Sequence, residues 1–121
     1  MGEPAATLER RLQSSPFWRR VGFRLDSAGE GTVRVRLPYH EGNTTAARAL
    51  HGGAIAATLD AAAMLASWST IGAGTASLLG RTLACDVSYL AGALGEDIFG
   101  EAEVLRRGRE IVYSHVRAVN G

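Results

Sequence analysis

The spacing of apolar positions changes character along the chain. Leu8 and Leu12 stand four apart within PAATLERRLQS, residues 4–14, which predicts a short amphipathic helix ended by Ser15 and Pro16. Val21, Phe23 and Leu25 then alternate with other residues over 17–27, and Val33, Val35 and Leu37 alternate with Arg34 and Arg36 over Thr32–Leu37. Joined through SAGEG, these two runs predict a hairpin with one buried and one wet face. A polar loop, PYHEGNTTAARALH, leads to Gly52 and Gly53, where a long run of small and apolar residues predicts one long helix. Its expected end is GAG at Gly72–Gly74, because glycine tolerates the positive φ of a helix C-cap. Period-two patterning returns over 81–90, over Ile98–Arg106 and over Glu110–Val119, the last two meeting at the turn RRGRE.

The predicted order is helix, two strands, long helix, three strands. Without βαβ alternation this points to an α+β domain whose antiparallel sheet packs on the single long helix. We expect one domain over residues 1–121, with 1–16 as an N-terminal helical segment. A helix apolar on every side needs more than one sheet face to cover it. A sheet wrapped around it and closed by a second subunit meets that need.

Composition narrows the function classes. The 121 residues, 46% of them hydrophobic, suffice for one core and not for two. Thirteen basic against twelve acidic side chains leave a net charge of +1, so there is no electrostatic footprint for nucleic acid or an anionic membrane. Cys85 is the only cysteine, which excludes an intrachain disulfide and a CxxC motif and fits a cytoplasmic protein. MGEPAATLERRLQSSP lacks the apolar core of a signal peptide. Gly52 to Ile71 has the length of a membrane span, but alanine dominates it and Asp60, Thr58 and Ser67 interrupt it, so a buried helix is expected.

There is no GxSxG, GxGxxG, P-loop or HExxH motif, and His40, His51 and His115 are scattered without metal spacing. Neither a metal nor a cofactor is expected. What stands out is Asp60, inside LHGGAIAATLDAAAMLASWST. It lies too deep in the helix to cap it, and aspartate is a poor interior residue. Among Ala56, Ala57, Leu59, Ala61, Ala63 and Met64, a dry unpaired carboxylate would cost on the order of several kcal/mol. Asp60 is therefore either a reactive carboxylate or the partner in a hydrogen bond to another chain segment. Gly52 and Gly53 either ease a tight turn or bare helix N-terminal amides to a carbonyl oxygen. The eight-position step from Gly52 to Asp60 corresponds to about 12 Å along a helix, so two subunits must contribute if both act on one atom.

The segment LHGGAIAATLDAAA resembles the signature of hotdog-fold thioesterases, in particular the phenylacetate-pathway (PaaI-type) acyl-CoA thioesterases, in which HGG opens the central helix and an aspartate follows nine residues after the histidine. ACDVSYLAGALGED, residues 84–97, resembles the strand and turn that follow, and the likeness runs from about Phe17 to Asn120. It implies a hotdog fold, an antiparallel sheet wrapped around the long helix, and hydrolysis of a CoA thioester with an aryl or medium-chain acyl group. By position, the Gly52 amide would polarise the carbonyl, with Gly53 beside it. Asp60 of the other subunit would be nucleophile or general base, His51 would order the loop, and Thr82 would place the water where serine is more familiar. The partners implied are acyl-CoA and a homodimer or dimer of dimers with sites at the subunit interface.

The chain departs from that pattern in three places. Thr45 stands where the family has Asn or Gln, with Asn43 two residues earlier, so either side chain is a candidate for the assisting group. Arg48 replaces a loop glycine. The family pattern also has a further strand after the last hairpin, beyond Gly121. Arg106 and Arg107, next to Arg109, are candidates for CoA phosphates or simply a solvated turn, and Phe17, Trp18 and Trp68 for the acyl pocket or the core. A non-catalytic acyl-CoA-binding sensor or scaffold is the alternative reading. A hydratase is disfavoured because no histidine follows Asp60 before His115.

Overall fold

The structure is a computed structural model that describes residues 3–70 and 80–121. It opens with α1 (Ala5–Ser14), whose Leu8 and Leu12 are fully buried as the four-residue spacing requires. Arg11 on the same helix pairs with Glu3 at 2.7 Å and lies 4.4 Å over the Trp68 ring, which meets Trp18 edge-on at 6.1 Å. The N-terminal segment is thereby fastened over the far end of the long helix.

Ser15 ends α1 but does not end helical structure. Its Oγ accepts from the Trp18 amide at 3.2 Å, Pro16 fills the first helical position, and Gly22 closes α2 (Pro16–Val21) at φ 97°. Residues 17–21, read above as the start of a strand, are therefore helical. The local capping signals outweigh an alternation that only Val21, Phe23 and Leu25 carried.

The sheet comprises β1 (Arg24–Gly29), β2 (Thr32–Leu37), β3 (Ile98–Arg107) and β4 (Val112–Asn120), antiparallel throughout and ordered β1-β2-β3-β4. Both expected hairpins are present. Val33, Val35, Leu37, Ile98 and Ala102 are buried on the inner face. On the outer face Arg34 bridges Asp26 at 2.8 Å and Glu101 at 3.0 Å, Arg117 reaches Glu101 at 3.0 Å, and Arg36 reaches Asp97 at 2.7 Å. The predicted division into one apolar and one wet face holds.

Across the inner face lies α3 (Gly52–Trp68), with Thr58, Leu59, Ala61, Ala62, Leu65 and Ala66 buried. Gly100 of β3 lets it approach: a Cβ there would stand 2.9 Å from Thr58 Cγ2 and 3.1 Å from the Thr58 carbonyl oxygen. The helix ends at Trp68 with Ser69 as C-cap. The expected terminator, Gly72–Gly74, lies outside the described residues.

Residues 81–90 form no strand, which corrects the third strand expected after the helix. Leu83 and Leu90 are 72% and 95% exposed, so the alternation there does not mark a face buried by this chain's own sheet. The segment instead runs back along α3. A Cβ on Gly80 would lie 3.2 Å from Met64 Sδ near one end of the helix, while Tyr89 reaches Gly52 at the other.

Candidate active site at the helix N-terminus

The loop before α3 is tied down by its own backbone. The His51 amide donates to the Asn43 carbonyl at 2.8 Å, the Thr45 amide to Ala49 at 2.8 Å, and the Leu50 amide to Ala93 at 3.0 Å. The Gly95 amide donates to the Arg48 carbonyl at 2.9 Å. To make these bonds the chain passes through left-handed conformations at Ala47 (φ 49°) and Arg48 (φ 66°), which cost side-chain-bearing residues energy. Arg48 thus keeps the backbone shape a glycine would adopt easily. Its guanidinium lies across Gly95, where a side chain would run into it.

His51 caps the helix, with its Nδ1 accepting the Gly53 amide at 2.8 Å. That contact separates the roles of the two glycines. A Cβ on Gly53 would stand 2.9 Å from Nδ1, so the imidazole cap requires glycine at this position. A Cβ on Gly52 would meet only the Tyr89 ring at an ordinary 3.5 Å, and Gly52 does not have positive φ. Neither packing within the chain nor backbone conformation demands glycine at 52. Its amide has no acceptor among the described residues. It is one of the orphan donors at the positive end of the helix.

Asp60 lies on the same helix, on a stripe with Gly53, Ala56, Ala63 and Ser67 that the sheet does not cover. It is partly exposed, so the dry surroundings expected from its alanine neighbours are not produced by this chain alone. Thr82 Oγ1 donates to Asp60 Oδ1. Cys85 is close by, and partial burial followed by the charges of Asp60 and Asp86 pushes its thiol pKa up. A thiol held protonated in this way is a poor nucleophile.

The structure joins His51, Gly52, Gly53 and Tyr89 at one end of α3 and Asp60 with Thr82 in its middle. Asn43 meets His51 only through its backbone carbonyl, and the other candidates bond to none of these groups among the described residues. Asn43 Nδ2 is spent on the Val21 carbonyl at 2.9 Å, and Thr45 is exposed. Arg107 donates to Thr70 at 2.8 Å, which puts it and its neighbour Arg106 at the opposite end of α3 from Gly52. Phe17 is exposed, whereas Trp18 and Trp68 pack against the core. Tyr89 was missed by sequence reasoning. In a straight strand, residues seven apart face opposite ways, yet Thr82 and Tyr89 both touch α3, in keeping with a segment that is not a strand.

The chain has relatives among known proteins. Residues 48–121 match the family model of the thioesterase superfamily. Over 97% of its length the chain is 29% identical to a Halobacterium salinarum protein described as an esterase, covering 78% of that protein. A thioesterase family protein from Silicibacter pomeroyi superposes with a TM-score of 0.85 at 26% identity, over 94% of this chain and 82% of the other. The PaaI protein of the E. coli phenylacetic acid degradation operon shares the fold at a TM-score of 0.81 and 19% identity, over 95% and 80% of the two chains. Among the described residues no helix is long and apolar enough to cross a membrane.

Proposed function

The chain belongs to the thioesterase superfamily and is a thioester hydrolase of the hotdog fold, and from that premise we propose that it hydrolyses an acyl-CoA thioester with an aryl or medium-chain acyl group. The observation that carries the site assignment is the Gly52 amide, which has no acceptor among the described residues and stands where neither their packing nor the backbone conformation requires glycine. The thioester carbonyl oxygen takes that N–H, and the helix dipole stabilises the charge that develops on it.

Asp60 works on the carbonyl carbon from the partner subunit. Gly52 and Asp60 are about 12 Å apart along one helix, too far for a single carbonyl to meet both. Two helices related antiparallel by a two-fold axis bring each Gly52 beside the other subunit's carboxylate. The uncovered stripe of α3 and the exposed Leu83, Tyr89, Leu90 and Leu94 support such an assembly, which buries them. The Thr82 hydroxyl holds one carboxylate oxygen and leaves the other for the reaction. As general base, Asp60 takes a proton from water while the water oxygen bonds to the carbonyl carbon. The C–S bond then breaks, and CoA leaves as a thiol with that proton. As nucleophile, Asp60 attacks the carbonyl carbon, the C–S bond breaks and CoA leaves as a thiolate, and water then opens the mixed anhydride to the free acid and the restored carboxylate, its released proton going to the thiolate. Incorporation of oxygen-18 into the Asp60 carboxylate in a single turnover separates the two routes. An antiparallel pairing of helices also moves the partner's Arg106 and Arg107 toward the Gly52 end, which supports reading them as contacts for CoA phosphates. A lone Cys85 held as thiol suits a reducing cytoplasm.

The test is thiol release from phenylacetyl-, benzoyl-, hexanoyl- and palmitoyl-CoA by wild type and Asp60→Asn. Release that depends on Asp60 and favours the first three supports the proposal. Thioesters that bind without any release would replace it with a non-catalytic acyl-CoA-binding protein.

A further inference from the structure

The peptide unit between Gly52 and Gly53 is engaged from both sides. Tyr89 Oη donates to its carbonyl oxygen at 2.8 Å, and its N–H donates to His51 Nδ1 at 2.8 Å. The carbonyl of a first-turn residue already takes part in helix hydrogen bonding, since the orphan carbonyls of a helix lie at its other end. Tyr89 therefore satisfies no stranded group. Its ring is 54% exposed in the single chain, so packing within this chain does not account for the hydroxyl's placement on that carbonyl.

We infer that Tyr89 is a positioning residue that acts through the Gly52–Gly53 peptide to hold the His51 imidazole, so that His51 presents Nε2–H as a second donor beside the Gly52 amide. A hydrogen bond accepted by a carbonyl oxygen draws electron density from the amide and makes its N–H the stronger donor. The Gly53 N–H then grips Nδ1 more firmly. An imidazole whose Nδ1 accepts a hydrogen bond carries its proton on Nε2 when neutral. Among the described residues Nε2–H has no acceptor, so it is available to a ligand oxygen. The substrate-facing half of this inference rests on the thioesterase reading. The Tyr89 to His51 linkage does not.

Tyr89→Phe keeps the ring against Gly52 and removes only the hydroxyl. Its melting temperature should match wild type, while hydrogen exchange at the Gly53 amide speeds up severalfold. kcat toward the best acyl-CoA should fall about threefold to tenfold, the worth of one neutral hydrogen bond, with KM nearly unchanged. In a His51→Ala background the same substitution should cost less than about twofold, because residues acting through one another are not additive. Unchanged Gly53 exchange in Tyr89→Phe, or a full additive loss in the double variant, would overturn the inference. If wild type cleaves no thioester, the proposed function fails, and Gly53 exchange alone still decides whether Tyr89 holds His51.

Discussion

Gly53 leaves room for the imidazole of His51: its amide meets Nδ1 at 2.8 Å, and a methyl group on the same residue would stand 2.9 Å from that nitrogen. The neighbouring Gly52 has no such constraint. The pair that reads as one motif therefore divides into a glycine that the His51 cap requires and one that nothing among the described residues constrains. Gly53→Ala should displace the cap and lower stability by about 1 kcal/mol, seen as a lower melting temperature. Gly52→Ala should fold at least as well as wild type, since alanine is the better helix former, yet lose roughly tenfold or more in kcat as the methyl obstructs the carbonyl. Equal losses of stability in the two variants would refute the division.

The contact between Thr82 and Asp60 predicts a graded series. Asp60→Asn keeps the shape and removes the anion, so turnover should drop at least about a thousandfold if the carboxylate does the chemistry, with the circular dichroism spectrum and assembly retained. Thr82→Ala should cost about tenfold through loss of one hydrogen bond to a charged group. Thr82→Ser should restore most of it. A Thr82→Ala variant as active as wild type would show that the hydroxyl does not serve the reactive carboxylate.

Much of this was legible in the sequence because it depends on short-range pattern. The two hairpins follow from alternation and turn residues, and the long helix from a run of mostly small and apolar residues beginning at Gly52. The start of β1 was misplaced because Ser15, Pro16 and Gly22 form a local capping set stronger than three alternating apolar residues. Residues 81–90 were misread for a different reason. Period two establishes extended backbone but does not name the neighbour, and here the neighbour is α3. Tyr89 was invisible for the same reason, since its partner Gly52 is 37 residues away and is reached through a carbonyl that no side-chain pattern marks.

Arg48 carries a cost that a substitution can remove. Its φ of 66° is one that glycine adopts freely and arginine does not. Arg48→Gly should raise stability by up to about 1 kcal/mol, offset partly by the greater freedom of glycine in the unfolded chain. At this size that is a rise of a few degrees in melting temperature. A variant less stable than wild type would mean that the guanidinium lying across Gly95 holds the loop more strongly than the backbone resists it.

The outer face of the sheet holds two carboxylates that tie stability to pH. The Tyr39 amide, at 2.6 Å, and then Arg36 hold the Asp97 pKa below its ordinary value, and Arg117 and Arg34 do the same for Glu101. A carboxylate whose pKa is lower folded than unfolded contributes stability that is fully present above its unfolded pKa, about 4 for these groups. That contribution declines as pH falls below this value and is gone once pH passes below the folded pKa. Both side chains are partly exposed, so screening keeps each contribution modest and salt-dependent. Urea midpoints should therefore be flat from neutral pH to about 5 and fall below about 4. Asp97→Asn should begin with a lower midpoint at pH 7 and lose less of it on acidification, and added salt should narrow the gap between the two proteins. Parallel acid profiles for wild type and Asp97→Asn would show that Asp97 gains nothing from Tyr39 and Arg36 on folding.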